Sequence, residues 1–353
     1  MDADGKTALR PETTCQMTRF FAIALGSNIG DRLFYLNRAL ALIDRIAGLR
    51  IVGASRIYES KGWGRDDLDP FLNAVIVAVS DRLDAIAVLK ELQSIEDKLG
   101  RQRVVHWGAR TLDLDLLAVN DEVCGDPALT LPHPYIADRP FVYLPFREVA
   151  ALHAAFARLT EASEKGRAIE GDCAPTSLGA PVWGRTIDDP ELISAKSIER
   201  GTGSEEETES LGRLCAPYFL PGDVISLNGE MGLGKSVLAR GIARGLGVTG
   251  AISSPTYLLC KAYETPHMAL EHWDFYRMES RDDLESAGFF SPPPDVMRIV
   301  EWPRKVDADS VQETHEVFIQ LGEGGPESRR VIWKSSRRLP LVPFPIVAVW
   351  TTP

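Results

Sequence analysis

The chain has 353 residues, of which 44% are hydrophobic and 25% are charged; these proportions are typical of folded globular proteins and exclude disorder. This length exceeds one domain of roughly 100–200 residues and predicts two domains. The formal net charge of −11 excludes a surface that coats nucleic acid as a whole, so phosphate binding must come from local clusters. Five cysteines without a Cys-x-x-Cys pair predict a reducing, cytoplasmic setting, and the sequence predicts neither an export signal nor a membrane-spanning segment.

The first half of the chain alternates strand-like and helical hydrophobic patterns. Strands are predicted at residues 20–25, 50–58, 74–79 and 111–119, and helices at 33–43 and 86–99. The second of these helices carries Ile86, Leu89, Leu92 and Ile95 on one stripe and ends at Gly100. This alternation predicts an α/β domain.

Glycine and proline are dense between residues 171 and 190, which is typical of a linker. We therefore divide the chain into a first domain (18–165), a linker (166–190), a second domain (191–338) and an unassigned tail (339–353). The second domain begins with a predicted capping box, in which Ser204 and Glu207 each bind the other's backbone N–H. A strand at 224–227, a glycine loop and a helix follow, and the last of these is predicted to bury Leu238, Ile242 and Leu246.

The glycine loop matches a phosphate-binding pattern. Residues 229–236 read Gly-Glu-Met-Gly-Leu-Gly-Lys-Ser and fit G-x-x-x-x-G-K-[ST]. Glycines let several backbone N–H groups approach a phosphate, the helix N-terminus adds positive potential, Lys235 neutralises phosphate oxygens and Ser236 ligates Mg²⁺. A chance match is the alternative, and the position between a strand and a helix argues against it.

Three later segments, at 253–257, 272–277 and 299–303, place polar side chains at the ends of apolar runs. Each alone could equally be a strand-end polar residue. In this order, Ser-Pro-Thr-Tyr, His-Trp-Asp-Phe-Tyr-Arg and Glu-Trp-Pro together with the glycine loop resemble the TsaE family, the small P-loop ATPase of bacterial tRNA threonylcarbamoyladenosine biosynthesis. The resemblance covers about residues 191–333.

The resemblance to TsaE implies a P-loop NTPase fold with a mostly parallel sheet, and ATP hydrolysis coupled to a TsaB and TsaD complex that modifies tRNA. It implies Mg²⁺ ligation by Ser236 and Asp274, and a water molecule oriented by Glu301. The implied ATP-binding residues are Gly229, Gly232, Gly234, Lys235, Ser236 and Thr256, with Lys235 also catalytic. Leu233 departs from the family, which usually has a smaller residue there.

A second constellation lies in the first domain. The alternation in Thr-Leu-Asp-Leu-Asp-Leu at 111–116 puts Asp113 and Asp115 on one strand face, about 6.6 Å apart. That spacing can bracket two metal ions, and the nearby Arg101, Arg103 and Arg110 suit a polyphosphate. For Asp-x-Asp alone, an exposed strand whose acids pair with arginines would be the better interpretation.

Four longer sequence motifs argue against that interpretation of the two aspartates. They are Ala-Leu-Gly-Ser-Asn-Ile-Gly-Asp at 24–31, Pro-Phe-Leu-Asn-Ala at 70–74, Trp-Gly-Ala-Arg-Thr-Leu-Asp-Leu-Asp at 107–115 and Leu-Pro-His-Pro at 131–134. Together they resemble 6-hydroxymethyl-7,8-dihydropterin pyrophosphokinase of folate biosynthesis, over about residues 18–150. This resemblance implies a ferredoxin-like α/β sandwich and transfer of pyrophosphate from ATP to the pterin, with release of AMP.

The same resemblance implies roles for individual residues. Asp113 and Asp115 would hold two Mg²⁺ ions, with Arg101 and Arg110 also catalytic and Glu96 near the phosphates. The implied ATP-binding residues are Arg101, Arg103, Arg110, His133 and Arg139, and the implied pterin-binding residues are Ser60, Phe71, Asn73, Trp107 and Phe141. Gly62 and Ala109 replace prolines that are usual in the family, which predicts looser substrate loops.

Two other interpretations stay open. The second domain could be a nucleotide-responsive binding module with negligible ATP turnover alone. The first domain could bind a pterin and serve only as a scaffold.

Overall fold

The computed structural model describes residues 18–61, 69–100, 110–150, 156, 159, 176–177, 197–293, 295–306 and 311–335. These residues form two large sheets with helices packed against them, and we describe each sheet with its helices as one unit. The prediction of a mixed α/β protein is confirmed, and the division into domains stays a prediction. The predicted tail, and the predicted linker except for 176–177, lie outside the described residues. Within those ranges no helix combines the length and the apolar character needed to cross a membrane.

The first unit is an antiparallel sheet in the order β5-β1-β4-β3-β8, with β2 also paired to β4. Its elements are β1 (Arg19–Ser27), α1 (Arg32–Ile43), β2 (Arg50–Ala54), β3 (Tyr58–Ser60), β4 (Phe71–Ser80), α2 (Ala85–Lys98), β5 (Asp113–Val119), β6 (Cys124–Asp126), β7 (Leu129–Leu131), α3 (Pro140–Ala150) and β8 (Thr176–Ser177). Strands β6 and β7 form a separate hairpin. Because β1 alternates, Phe21, Ile23 and Leu25 join one core cluster with α1 and α2, whereas Ala22 joins a second cluster with α3.

Two sequence-based details of the first unit differ from the structure. The predicted strand 50–58 is two strands, because the Ser55 hydroxyl takes the hydrogen bond of the Val75 N–H at 2.9 Å and interrupts the ladder. Ile86 is 39% exposed, so it does not lie on the buried stripe of α2. Val88 takes that place, four residues before Leu92, at the true helical spacing.

The second unit is a seven-stranded sheet in the order β11-β12-β13-β10-β14-β15-β9. Its elements are β9 (Ser197–Thr202), α4 (Glu205–Cys215), a 3-10 turn (Ala216–Tyr218), β10 (Val224–Asn228), α5 (Lys235–Gly245), β11 (Cys260–Glu264), β12 (Ala269–Asp274), α6 (Arg281–Ser286), β13 (Val296–Glu301), a second 3-10 turn (Pro303–Lys305), β14 (His315–Leu321) and β15 (Arg329–Ser335). The four central strands are parallel, and β11, β15 and β9 pair antiparallel outside them.

The start of α4 differs slightly from the predicted capping box. The Ser204 hydroxyl accepts a hydrogen bond from Glu207 N at 3.2 Å, as predicted. The Glu207 carboxylate accepts from Gly203 N at 2.6 Å rather than from Ser204 N, so it caps the chain one residue earlier.

Helix α1 lies between the two units. Its Leu36, Leu40 and Ile43 are buried in the first unit's core, while other faces of the helix contact the Ala216–Tyr218 turn of the second unit. The largest of the buried hydrophobic clusters includes side chains from both units.

Candidate functional sites

Three neighbouring strands of the first sheet align three motif residues in one row. Gly26 is the register partner of Asn73 on β4 and of Asp113 on β5. Register partners project their side chains to the same face of a sheet, so Asn73 and Asp113 flank Gly26 on one face. A Cβ added to Gly26 would lie 3.5 Å from Asn73 Oδ1 and 3.8 Å from Asp113 Cβ. The row therefore makes an open floor, about 10 Å wide, between a predicted pterin residue and a predicted metal ligand.

The strand that carries the two aspartates is held from both sides. Strand β5 is the edge strand, and Glu96 Oε1 from α2 accepts a hydrogen bond from Leu114 N at 2.7 Å. Glu96 is 1% exposed, so its carboxylate supports the backbone between Asp113 and Asp115. On the other side Arg110 Nη1 lies 2.6 Å from Asp113 Oδ2.

The predicted pterin-binding side chains that the structure describes gather at one end of β3 and β4. Asn73 Nδ2 donates to Ser60 Oγ at 2.9 Å, and both residues are buried. Phe71 pairs with Ser60 in the register, and it and Phe141, near the start of α3, are half-buried. An amide whose oxygen faces the Gly26 row suits the polar edge of a flat heterocycle.

His133 and Arg139 lie in the segment between β7 and α3. The His133 N–H donates to Leu117 O at 2.8 Å, which attaches this segment to the strand of the two aspartates. Burial, and then the charge of Arg139, lower the pKa of His133, while Asp113 acts in the opposite direction. The lowered pKa favours the neutral imidazole, whose Nδ1 accepts a hydrogen bond from Tyr135 N at 3.3 Å, so that Nε2 is the donor.

The other residues predicted to bind ATP or the pterin are Arg101, Arg103 and Trp107. These three residues lie outside the described part of the chain. Gly62 and Ala109, the two departures from the family pattern, do so too.

The second site is built on the loop between β10 and α5. Gly229 has a φ of 153°, and a Cβ there would lie 2.5 Å from Ile319 O, so no side chain fits. Gly234 precedes α5 with a φ of 95°, a conformation that also favours glycine. Leu233, the departure from the family pattern, is half-buried against the core, and its carbonyl accepts from Arg329 Nε at 2.8 Å.

Lys235 bends back over the loop. Its Nζ donates to Gly229 O at 2.9 Å and to Glu230 O at 2.8 Å, and lies 3.8 Å from the centre of the Trp302 ring. Burial lowers the pKa of Lys235, and the charges of Glu301 and Asp274 act in the opposite direction. A desolvated ammonium group is thus held at the mouth of the loop, where phosphate oxygens would meet it.

The two predicted acids end adjacent parallel strands. Asp274 and Glu301 are register partners of β12 and β13. Glu301 Oε2 accepts from Ser236 Oγ at 3.0 Å, and its Oε1 lies 2.8 Å from His272 Nε2. Asp274 Oδ2 instead accepts from Thr256 Oγ1 at 2.5 Å. Ser236, Thr256, Asp274 and Glu301 line one open pocket of about 370 Å³ beside the glycine loop.

Both sites offer donors that fit magnesium. Carboxylate and hydroxyl oxygens are the hard ligands that Mg²⁺ prefers. Over the described ranges, no group of three or more His, Cys, Asp and Glu side chains gathers at one point. Phosphate oxygens and water would have to complete the coordination, which is the usual form of a magnesium–nucleotide site.

Sequence reasoning assigned no role to His272 and Trp302. His272 is buried and orients Glu301; the available signal was its position two residues before Asp274 on one strand face. Trp302 has a left-handed backbone (φ 58°), which is rare for a bulky residue and often marks a functional site. Nothing in the sequence pattern indicates that conformation.

Comparisons with known proteins match each unit separately. Residues 22–151 match the family of 7,8-dihydro-6-hydroxymethylpterin-pyrophosphokinase (HPPK), and residues 202–331 match threonylcarbamoyl adenosine biosynthesis protein TsaE. The 2-amino-4-hydroxy-6-hydroxymethyldihydropteridine pyrophosphokinase of Bacillus subtilis is 42% identical over 133 residues, which are 38% of this chain and 79% of that protein.

One further relative and one solved structure match parts of the chain. The bifunctional protein FolKE of Lactococcus lactis is 30% identical over 161 residues, and the match covers 43% of this chain and 46% of that protein. The solved structure of Bacillus subtilis YdiB is 28% identical with a TM-score of 0.32, and covers 40% of this chain and 86% of that one. By its sequence the chain belongs to the HPPK family over its first unit, and the same polypeptide carries a second unit that matches the TsaE family model.

Proposed function

We propose that the chain is a bifunctional enzyme with two ATP sites. The first unit transfers pyrophosphate from ATP to the hydroxymethyl group of 6-hydroxymethyl-7,8-dihydropterin and releases AMP. The second hydrolyses ATP in support of tRNA threonylcarbamoyladenosine modification. The two family memberships support both activities, and the row formed by Asn73, Gly26 and Asp113 is the observation that carries the first.

At the first site the row sets the distance between the two substrates. We infer that Asn73 and Ser60 bind the pterin edge, that Phe71, Phe141 and Trp107 contact its ring, and that the bound ring leads the hydroxymethyl oxygen towards the phosphates above Gly26. Asp113 and Asp115 would hold two magnesium ions. These ions would neutralise the phosphate charge that opposes attack on the β-phosphorus.

The cationic side chains around Asp113 would complete the first site. Arg110 contacts Asp113 directly, and Arg139 approaches His133 closely enough to lower its pKa. We assign Arg101, Arg103, Arg110, His133 and Arg139 to the ATP phosphates. A neutral His133 would donate a hydrogen bond there without adding charge.

At the second site the two acidic side chains have different hydrogen-bond partners. Glu301 contacts Ser236, the predicted magnesium ligand, whereas Asp274 contacts Thr256 of the predicted γ-phosphate loop. We infer that Ser236 and Glu301 would hold the magnesium ion, and that Asp274 would orient the Thr256 hydroxyl. Magnesium would supply charge neutralisation of the β- and γ-phosphates, and Lys235 would bind the same oxygens.

Product analysis tests both activities in one protein. Asp113→Asn is expected to lower pterin-dependent AMP formation at least about 100-fold and to spare ADP formation, and Lys235→Ala to do the reverse. The matched controls Asp97→Asn and Lys90→Ala lie on exposed positions of α2 and should change neither product. A single substitution that removes both products would contradict two independent sites.

A separate experiment tests which of the two acids, Glu301 or Asp274, binds magnesium beside Ser236. Glu301→Gln should raise the Mg²⁺ concentration needed for half-maximal ADP formation more than Asp274→Asn does. The opposite order would favour Asp274 as the ligand beside Ser236.

A nucleotide-responsive binding module is a second candidate for the C-terminal unit. The contact of Lys235 with Trp302 favours it, because an incoming nucleotide must replace protein groups around the ammonium. ATP turnover that remains negligible alone and rises only with a TsaB and TsaD complex and tRNA would support this role.

The finer boundaries are also proposals. We assign residues 18–165 to a ferredoxin-like pyrophosphokinase domain, 166–190 to a linker, and 191–338 to a P-loop NTPase domain. The supporting observations are the antiparallel first sheet and the parallel strands β12, β13, β10 and β14. The cytoplasmic location stays a prediction from cysteine usage.

A further inference from the structure

Helix α1 carries a second buried stripe that its role in the first unit does not explain. Leu36, Leu40 and Ile43 face the unit's own core, yet Phe34, Asn37, Arg38 and Ala41 are buried as well. A surface helix buries one stripe and leaves the opposite one in water. Both stripes of α1 are covered, because the second unit packs on the outer one.

The outer stripe begins with an aromatic contact. The Phe34 ring stacks on His267, with centroids 4.6 Å apart and planes 15° from parallel. Tyr35 meets the same imidazole edge-on at 5.7 Å. His267 lies between β11 and β12, so this end of α1 reaches the outer edge of the second sheet.

In the middle of the outer stripe, Arg38 binds carbonyl groups of the second unit. Arg38 is 3% exposed and donates Nη1 to Pro217 O at 3.1 Å and also to Phe219 O. These carbonyls belong to the turn after α4, since Pro217 lies in the 3-10 turn and Phe219 directly follows it. Asn37 Oδ1 accepts from Tyr218 Oη at 3.0 Å beside them. An arginine of one unit thus satisfies buried turn carbonyls of the other.

An ion pair between the two units lies just past the C-terminal end of α1. Arg45 Nη2 lies 3.0 Å from Asp223 Oδ2, and Asp223 is fully buried at the start of β10. Asp223 also accepts from Leu220 N at 2.8 Å, and His315 Nε2 lies 3.5 Å away. From the first unit, Arg45 pairs with this buried acid, and the charge of Arg38 also interacts with it.

We propose that the outer stripe of α1 (Phe34, Asn37 and Arg38), together with Arg45 just past the C-terminal end of the helix, is a docking surface for the end of the second sheet where β10 begins, and that it holds the two units together without the covalent link. The occupant is the chain's own second unit, because its turn carbonyls and its buried acid match the two arginines in position and charge. The glycine loop follows β10, so it lies at the end of this strand opposite to the docking surface. This inference is independent of which reactions the two sites catalyse.

Cutting the chain tests the docking surface. A protease recognition sequence inserted after Gly179, in the predicted linker, allows the folded protein to be cleaved and its fragments to be followed by size-exclusion chromatography with light scattering. The two fragments should elute together as one particle at micromolar concentration. Separate elution of the cleaved wild-type fragments would overturn the proposal.

Substitutions then assign the association to α1. Arg38→Met and Arg45→Gln should each weaken fragment association, by roughly 100-fold for the buried Arg38. Arg19→Gln is the control, because its ion pair with Glu122 has the same 3.0 Å distance and Arg19 is exposed to the same degree as Arg45, but the pair lies within the first unit. Co-elution that neither variant weakens would place the association elsewhere and would also overturn the proposal.

A measurement on the uncut chain guards against damage by cleavage. Arg45→Gln should increase hydrogen–deuterium exchange at residues 216–223, across the interface, while Arg19→Gln leaves it unchanged. Equal exchange in the two variants would count against the docking surface, whatever the behaviour of the cleaved fragments.

Discussion

Removal of the Glu96 carboxylate is expected to loosen the strand that carries Asp113 and Asp115. The Leu114 N–H on the open edge of β5 donates to Glu96 Oε1 at 2.7 Å, and both groups are buried. In Glu96→Ala this N–H loses its acceptor, which costs about 1–3 kcal/mol, and the lost buried methylene adds about 0.8 kcal/mol. Local opening of β5 should become easier by about 2–4 kcal/mol, which corresponds to a loss of protection from exchange of roughly 20-fold or more.

Glu96→Gln separates the hydrogen bond from the charge. The amide keeps an oxygen acceptor for Leu114 N, and a neutral bond is weaker than a charged one by about 1 kcal/mol. Protection should therefore fall only about fivefold. Glu91→Ala, at an exposed position of α2, serves as the control and should leave β5 unchanged.

Two measurements check this order. Hydrogen–deuterium exchange of a peptide that covers residues 112–119 reports the opening of β5, and the rate of AMP release across a Mg²⁺ titration reports the effect on the paired acids. Exchange of the Leu114 amide at the wild-type rate in Glu96→Ala would refute the reasoning, because the hydrogen bond would then contribute nothing to the strand.

Three other outcomes are expected. Gly26→Val should weaken pterin binding at least about tenfold by calorimetry, with little change in melting temperature, because its methyl groups would fill the floor between the flanking side chains; Gly26→Ala is the milder control. His272→Phe should slow ADP formation about tenfold by freeing the Glu301 carboxylate to rotate, and equal rates would show that Ser236 alone orients it. Burial alone would raise the pKa of Asp223, but hydrogen bonding and the charge of Arg45 hold it below the usual value near 4, so its stabilising effect is complete above that pH and is lost as the pH falls further. Acid denaturation of Asp223→Asn should accordingly lack this loss, and a curve parallel to that of the wild type below pH 4 would exclude it.

The elements that carry both sites follow from local pattern. The alternation at 111–116 places Asp113 and Asp115 on one face because a strand has a period of two, and β5 has that geometry. The glycine loop has its predicted position between β10 and α5 because only glycine fits its backbone at Gly229. These features depend on a few neighbouring residues, so the sequence is sufficient to predict them.

The features that depend on distant residues were not predictable. The row of Asn73, Gly26 and Asp113 requires the register of three strands from separate parts of the chain. Arg38 follows the pattern of a solvated charge on a helix, and it is buried only because another unit covers it. Ile86 shows the reverse error, since an apolar residue at the start of α2 has no partner layer in reach and stays exposed.

The two-sided burial of α1 limits how freely the parts of this protein can be exchanged. A pyrophosphokinase domain with no second unit packed on this helix has no need of a cation at the place where Pro217 and Phe219 accept hydrogen bonds from Arg38. Grafting such a domain in place of residues 18–165 would leave those carbonyls dehydrated and unpaired. Fusion has thus turned one helix into a component shared by two enzymes, and any recombinant swap would have to carry Arg38 and Arg45 with it.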